Sequence, residues 1–294
     1  MSNDYGEAFH AIRKYKNYSL ASATNKVFSV SQLSKFERGE TDLTIKKLRP
    51  VLNNITITAP EFFDELAESE FQHSILFLQG LTNAYLLPLI EKKRLADSIE
   101  TELFRLRTSL LPRKELYFKL LHLIRDILNQ HTSKQYISAN RKVITEYLFQ
   151  VDRWYQFELL AFINTLPVLE LSFTKLVSAE LSERITETHN QSNTQKLIVT
   201  ALIHASVQLI ELHEFATADF FLQRILIISL PEQLFFEKIL AKFFSGYLIY
   251  QKYIRAQGLI TIEEALALLR EFHYEMEANM LQAFFKRTCE NSQL

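Results

Sequence analysis

Glycine and proline are scarce in this sequence, and cysteine occurs only once. Of 294 residues, 5 are glycine and 6 are proline, whereas 23 are phenylalanine and 12 are tyrosine. Because the turns between strands depend on glycine and proline, this composition argues against a β-rich fold and favours long helices with short links. The lone Cys289 cannot form an intrachain disulfide, so we expect a reduced thiol in a cytoplasmic protein.

The motifs of catalysis and of metal binding are also missing. The five glycines are scattered along the chain, so they form no glycine-rich phosphate loop. The eight histidines include no pair spaced four residues apart, and the nearest histidine after His213 is His273. We therefore expect no enzyme, no metal site and no cofactor.

No stretch has the character of a targeting or membrane segment. The N-terminus lacks the apolar core of a signal peptide. The uncharged stretch 197–210 is too short to cross a bilayer, and it is interrupted by polar residues, namely Thr200, His204, Ser206 and Gln208. The sequence predicts a cytoplasmic protein without a membrane partner.

Charge is unevenly distributed along the chain. The formal net charge is −1, but nine Lys and Arg stand against five Asp and Glu up to Ile57, which leaves the remainder acidic. A basic head on an acidic body is typical of a protein whose contact with nucleic acid is limited to the head. A random distribution of charged residues over the surface also explains a charge difference this small.

Hydrophobic periodicity predicts an all-α protein of two domains. The first domain, 1–66, is predicted to hold five short helices, of which the third buries Val30, Leu33 and Phe36 and the fourth buries Ile45, Leu48 and Leu52. Capping residues support two of their starts, namely Ser19 before the second helix and the capping box Thr58–Glu61 before the fifth.

Helical periodicity continues through the second domain, 67–294, and predicts twelve helices with breaks at Pro112 and Gly258. Helices with short links favour stacked helix pairs, as in a tetratricopeptide-like solenoid, although the strict 34-residue consensus is absent. The concave face of a solenoid accommodates an extended or short helical peptide. Residues 187–194 are predicted to form the clearest exposed loop.

Residues 29–42 carry the strongest functional signal. They predict a short helix, stopped by Gly39, that carries Ser31, Gln32 and Lys35 outward. Small polar donors and one cation suit the reading of base edges in a major groove about 12 Å wide. Its place between two other short helices predicts the recognition helix of a helix-turn-helix.

Cations around this helix are candidates for phosphate contacts, which position a protein on DNA without reading sequence. We assign this role to Arg13, Lys14 and Arg38. Arg38 has an alternative in an ion pair with Glu40 or Glu37. Glu37 is expected to tie the third helix to the first through a buried ion pair with Arg13.

Two stretches are specific enough to compare with known families. One comprises Gly6-Glu7, Ile12-Arg13 and 29–42, and the other comprises 147–154, Glu158 and Asn164. Together they resemble the Rgg (Rgg/GadR/MutR) family of Gram-positive regulators. The resemblance implies a cytosolic homodimer with a helix-turn-helix head of Xre type and a tetratricopeptide-like body. It also implies that the body binds a short, hydrophobic signalling peptide, which then changes transcription in quorum sensing.

The sequence departs from the family pattern at three places. Leu20 and Ala21 stand where relatives often carry a glutamine that helps to hold a phosphate, so a weaker grip on DNA is expected. Ile45 stands where some relatives have a cysteine that cross-links the dimer, so we expect no such lock. Residues 165–167 lack an arginine found in some relatives, and we therefore expect a binding pocket that prefers a neutral, apolar peptide.

Four residues form the predicted peptide-binding set. Asn164 lies on an otherwise apolar helix with Phe162, and its amide can grip a peptide backbone with a donor and an acceptor at once. His204 and Gln208 lie one turn apart on a long apolar helix and so face the same way. Alternatively, Asn164 is a satisfied core residue or a helix cap, and His204 is hydrogen-bonded internally.

The sequence therefore predicts a regulator that binds double-stranded promoter DNA and is switched by a peptide. An alternative function belongs to another class: a helical-repeat scaffold for a partner protein, with a weak or vestigial DNA-binding head. The residues Leu20 and Ala21 at the start of the second helix, which depart from the family pattern, favour this alternative.

Overall fold

The computed structural model of the protein describes residues 4–66, 69–130, 134–186, 192–252 and 254–291. These residues form sixteen α-helices and three short 3₁₀ turns, and no strand occurs among them. The prediction of an all-α protein is thus confirmed. The chain divides into two compact units, Met1–Gln72 and His73–Leu294.

Five short helices make up the N-terminal unit up to residue 66. They are α1 (Asp4–Tyr15), α2 (Leu20–Thr24), α3 (Val30–Glu37), α4 (Ile45–Asn54) and α5 (Ala59–Asp64). Side-chain caps define three of the starts: Ser19 Oγ accepts from the Ser22 N–H, Ser29 Oγ from the Gln32 N–H, and Thr58 forms a capping box with Glu61. Each cap satisfies an amide that the first helical turn leaves without a partner.

The core of this unit is built mainly from aromatic and branched side chains, namely Phe9, Ile12, Ala23, Leu33, Phe36, Val51, Leu52, Ile55 and Phe62. The predicted burial of Val30 and Ile45 is wrong, since these side chains are 42% and 83% exposed. Each is the first residue of its helix, and the buried faces are formed further along, by Leu33 in α3 and Val51 in α4.

Helices α1 and α3 approach each other closely at Gly6. A Cβ atom at Gly6 would lie 2.0 Å from the Phe36 carbonyl oxygen, so a larger residue would force the helices apart. The Phe9 ring also packs against Phe36 and Phe62, with centroid distances of 6.0 and 6.5 Å. These contacts hold one face of α3 against the core and leave its other face in solvent.

Eleven further helices follow, of which all but the start of the first belong to the C-terminal unit. They are α6 (Glu70–Gly80), α7 (Leu89–Leu106), α8 (Lys114–Leu128), α9 (Lys134–Gln150), α10 (Gln156–Thr165), α11 (Leu171–Arg184), α12 (Ser192–Glu211), α13 (Phe215–Ile227), α14 (Phe235–Lys252), α15 (Arg255–Glu271) and α16 (Glu275–Asn291). The 3₁₀ turns are Ala84–Leu86, Leu166–Val168 and Glu232–Leu234.

The prediction of twelve helices for this part of the chain is corrected, since its described residues form eleven. Residues 84–110 were predicted as two helices but form a 3₁₀ turn and the single helix α7. The apolar stripe of Ala96, Ile99 and Leu103 is buried without interruption, and it holds the helix together across the predicted break. Of the predicted loop 187–194, residues 187–191 lie outside the described residues, and the rest already belongs to α12.

Several helices of this unit pack both against a sequence neighbour and against the next helix but one. The contacts of α12 show the pattern, because it meets α10, α11, α13 and α14. Such stacking of successive helices is the arrangement of helical-repeat proteins. None of the described helices combines the length and apolar character that a bilayer crossing requires.

Helices α14 and α15 approach each other closely at Gly258. The sequence predicts a break there, but Gly258 lies inside α15 and faces the backbone of α14. A Cβ atom at Gly258 would lie 2.5 Å from the Tyr250 nitrogen, and one at Gly246 would lie 2.9 Å from the Ile262 nitrogen. Two glycines, one on each helix, thus permit this close packing.

Candidate functional site

The outer face of α3 carries the predicted base-reading residues. Ser31 and Lys35 are exposed, and Gln32 is half-buried. A five-residue link, 25–29, joins α2 to α3, and its first two residues adopt left-handed conformations with φ of 40° and 64°. Because α2 and α3 also pack against each other, the pair has the form of a helix-turn-helix with α3 as its second helix.

A lysine that sequence analysis did not single out contacts this face. Lys47 on α4 donates from its Nζ to the Oε1 of Gln32 across 3.0 Å, and the same Nζ lies 5.5 Å from the centroid of the Phe28 ring. Lys47 and Gln32 lie fifteen positions apart on different helices, so helical periodicity in the sequence could not predict their contact.

Arg13 lies inside the unit rather than on its surface. Its Nε donates to Glu37 Oε1 over 2.5 Å, its Nη2 to Glu37 Oε2 over 2.7 Å, and its Nη1 to the Tyr18 carbonyl over 2.7 Å. The expected ion pair between α1 and α3 is confirmed. The prediction that Arg13 contacts phosphate is corrected, because its guanidinium is buried and committed to Glu37.

The carboxylate of Glu37 is stabilised in its charged form. Burial alone would raise its pKa, but the hydrogen bonds and charges of Arg13 and His10 outweigh that effect and lower the pKa below the ordinary value. His10 Nδ1 lies 2.6 Å from Glu37 Oε2.

The other two cations assigned to phosphate contacts are exposed. Lys14 lies on the solvent side of α1. Arg38 donates from Nε to Glu40 over 2.6 Å and from Nη1 to Ser34 Oγ over 2.5 Å, so of the two alternative ion pairs the one with Glu40 is formed. An exposed pair of this kind contributes little to stability, so a phosphate can replace the carboxylate at small cost.

A cavity of about 270 Å³ lies in the C-terminal unit and brings together three of the four predicted peptide-binding residues. Asn164 of α10 lines it together with His204 and Gln208 of α12. Apolar side chains from α8, α10 and α12 form much of the wall, namely Ile124, Ile127, Leu128, Ile163 and Val207.

Phe162 does not line this cavity. Its side chain is fully buried, and its ring packs against Trp154 with a centroid distance of 5.5 Å. Two helical positions separate it from Asn164, which places the two side chains about 200° apart around the helix axis. Phe162 is therefore a core residue, and we remove it from the predicted peptide-binding set.

The side-chain amide nitrogens of Asn164 and Gln208 donate hydrogen bonds to backbone carbonyls of the protein. Asn164 Nδ2 donates to the carbonyls of Leu78 and Leu160 over 3.0 and 2.9 Å, and Gln208 Nε2 donates to the Leu166 carbonyl over 2.6 Å. Gln208 Oε1 is buried and receives no hydrogen bond from the described residues. An unsatisfied buried acceptor costs about 1–3 kcal/mol, so a ligand N–H that reached it would bind favourably.

Next to these amides, His204 gives the cavity a polar side chain that is uncharged. Its ring packs edge-on against Tyr85 with a centroid distance of 4.7 Å, and burial lowers its pKa to about 3. The imidazole is therefore neutral at neutral pH. Burial, with the nearby charge of Glu211, also raises the pKa of Tyr85 well above its ordinary value, so its hydroxyl stays protonated.

Lys92 of α7 and Glu211 of α12 add one charge of each sign to the cavity lining. Desolvation lowers the pKa of Lys92, and Arg287 reinforces this effect while Glu211 opposes it. Desolvation raises the pKa of Glu211, and Lys92 opposes that rise. The missing arginine after Asn164 therefore does not leave the cavity without a cation, because a different helix supplies Lys92.

Comparison with known proteins places this arrangement in a family. Residues 105–283 match the family model described as "HTH-type transcriptional regulator Rgg, C-terminal domain". The chain belongs to the Rgg family. The matched region includes α8, α10 and α12, and these helices carry much of the cavity wall.

Solved structures share the fold of this Rgg protein over nearly its whole length. A candidate transcriptional regulator from Listeria monocytogenes EGD-e is 19% identical with a TM-score of 0.76, and all of both chains is covered. The SHP pheromone receptor Rgg2 from Streptococcus dysgalactiae is 17% identical with a TM-score of 0.69, and the match covers 97% of this chain and 99% of that one. PrgX in its complex with cCF10 is 12% identical with a TM-score of 0.67, and the match covers 96% and 99% of the two chains.

Proposed function

We propose that this Rgg-family protein binds promoter DNA through α3 and is switched by a short peptide held in the cavity of its C-terminal unit. The observation that carries the proposal is the cavity itself, which apolar side chains line together with Asn164, His204 and Gln208. A solved relative is described as a pheromone receptor, and another was solved as a complex with cCF10.

The proposed DNA contacts are divided between bases and phosphates. Ser31, Gln32 and Lys35 lie on the face of α3 that the core leaves free, where a recognition helix meets base edges. Lys14 and Arg38 are exposed and would contact phosphates. Arg13 is left out because it is buried.

Replacing Lys35 with alanine should weaken binding to the DNA upstream of the gene by roughly fivefold or more, since a base contact is worth about 1–3 kcal/mol. If Lys35 also neutralises a phosphate, the salt slope of log K should fall by about one unit. Fluorescence anisotropy at several salt concentrations measures both quantities.

Lys142→Ala is the matched control, because Lys142 is an exposed lysine of α9 outside the proposed DNA contacts. Equal binding by Lys35→Ala and the unaltered protein would contradict the proposed role of α3. A salt slope near zero without sequence preference would instead favour the alternative function of a protein-interaction scaffold.

In the proposed peptide complex, apolar side chains of the ligand contact the cavity wall and a backbone N–H donates to Gln208 Oε1. The polar side of the cavity, with Lys92 and Glu211, would face a terminus or a polar side chain of the peptide. In a homodimer, peptide binding would favour one arrangement of the two heads, and that arrangement sets the half-site spacing. A hundredfold preference for one state supplies about 2.7 kcal/mol.

Replacing Gln208 with methionine should weaken peptide binding by roughly tenfold, because methionine has similar length but cannot accept the ligand N–H. The probe is a fluorescein-labelled synthetic peptide from a short hydrophobic reading frame beside the gene, and anisotropy gives its Kd. Gln223→Met is the control, since Gln223 is an exposed glutamine on α13 that does not line the cavity. An unchanged Kd for Gln208→Met would contradict this contact.

A further inference from the structure

The contact between Lys47 and Gln32 bears on which base α3 would read. An ammonium group has hydrogen-bond donors only, so it is the carbonyl oxygen of the Gln32 amide that must face Lys47. This settles the orientation of the amide, whose oxygen and nitrogen otherwise exchange places easily. The nitrogen, Nε2, points away from Lys47 and has no hydrogen-bond partner among the described residues.

Other contacts hold the two side chains in this arrangement. The Phe28 ring lies 5.5 Å from Lys47 Nζ, where a cation is attracted to the ring face. Gln32 is placed by the cap of α3, because its backbone N–H donates to Ser29 Oγ over 3.2 Å. Both side chains are half-buried, which restricts their rotamers.

Adenine and guanine differ in whether their major-groove edge presents a hydrogen-bond donor, which needs an acceptor on the protein. A glutamine reads adenine by accepting from the N6 amino group while it donates to N7. Here the amide oxygen lies beside a cation, which repels the amino group of adenine. Guanine presents two acceptors, O6 and N7, which suit the free hydrogens of Gln32 Nε2 and the remaining donors of Lys47.

We infer that Lys47 and Gln32 act as one reading unit that selects guanine and rejects adenine. This inference rests on the proposed DNA binding by α3. Lys47 is thereby a specificity-determining residue on α4, outside the recognition helix.

The test compares base preferences of variants of the full-length protein. Binding sites are selected from a randomised duplex library with the unaltered protein, Gln32→Ala, Lys47→Met and the control Lys46→Met. Methionine keeps an apolar stem beside Phe28 but removes the charge, and Lys46 is an exposed neighbour without a contact to Gln32. Thermal unfolding by circular dichroism verifies that each variant is folded.

The inference predicts that one position of the selected site prefers guanine over adenine by roughly fivefold or more. This preference should disappear in Gln32→Ala. In Lys47→Met, adenine should bind as well as guanine or better at that position, while Lys46→Met should keep the guanine preference. Adenine at the Gln32-dependent position in the unaltered protein would overturn the inference. So would a uniform loss of affinity in Lys47→Met without a change of base, which indicates a phosphate contact only. If the unaltered protein selects no sequence at all, the proposed function itself fails, and this outcome is distinct from the other two.

Discussion

Replacing Glu37 with alanine is expected to destabilise the N-terminal unit by about 3–5 kcal/mol, because the change leaves a buried guanidinium without its carboxylate. Both side chains of the Arg13–Glu37 pair are only 5% exposed. The two carboxylate oxygens accept from two guanidinium nitrogens, so the lost contact is bidentate. A domain is stable by only about 5–15 kcal/mol, so this loss would remove a large share of the stability of the unit.

Hydrogen exchange of the full-length protein in urea, read by mass spectrometry, measures this effect because it resolves amides of α1 and α3 from the rest. The single tryptophan, Trp154, lies in the C-terminal unit, so its fluorescence shows whether that unit is unaffected. Glu40→Ala serves as the comparison, since it breaks the exposed pair with Arg38 and should leave stability nearly unchanged. Equal effects of the two substitutions would show that burial of the pair is not what stabilises this unit.

The same ion pair predicts a dependence on acid. The pKa of Glu37 is lower in the folded protein than its ordinary value of 4.5, so the unfolded chain takes up the proton more readily. Its contribution is therefore complete above about pH 4.5 and is lost as the pH falls through the lowered pKa. Exchange measurements should show that the difference in unfolding free energy between the unaltered protein and Glu37→Gln shrinks as the pH is lowered through that range. A difference that grows on acidification would contradict the lowered pKa.

Replacing Gly258 with alanine is expected to destabilise the C-terminal unit by about 1–3 kcal/mol, because the new methyl group has no room. Its carbon would lie 2.5 Å from the nitrogen and 2.6 Å from the Cα of Tyr250, and backbone atoms cannot rotate aside. The higher helix propensity of alanine, about 1 kcal/mol, opposes only part of this cost. Helices α14 and α15 must therefore separate, which also disturbs the contact at Gly246.

Gly80→Ala is the matched substitution, because a Cβ atom at Gly80 would meet nothing within 4 Å. It lies in the last position of α6 and should be neutral or stabilising by about 0.5–1 kcal/mol. Urea unfolding followed by Trp154 fluorescence compares the two variants in the same unit. If Gly258→Ala were as stable as Gly80→Ala, the close contact between α14 and α15 would not be a constraint on this fold.

Much of the fold could be predicted because it depends on local chemistry. The caps Ser19 and Thr58 begin helices where the sequence indicated, since each side chain bonds to an amide three residues away. The spacing of His204 and Gln208 predicted a shared face for the same reason, and both line the cavity. The Rgg resemblance depended on such short motifs, and the family model now supports it.

The errors concern residues whose partners lie on other helices. Arg13 carries the charge expected of a phosphate contact, yet its position relative to α3 buries it against Glu37. Phe162 shares an apolar helix with Asn164, but only packing shows which side of that helix faces the cavity. Gly258 resembles a helix break until the backbone of α14 is placed beside it.

Periodicity and capping thus account for the helical class, most helix positions and the exposed face of α3, because each depends on residues within a few positions of one another. The contact of Lys47 with Gln32, and the electrostatic interaction of Lys92 with Glu211, depended on packing between distant segments. A hydrophobic pattern states which face of a helix is buried but not which helix covers it. For that reason the partners of the polar groups in the candidate sites became evident only when the helices were assembled.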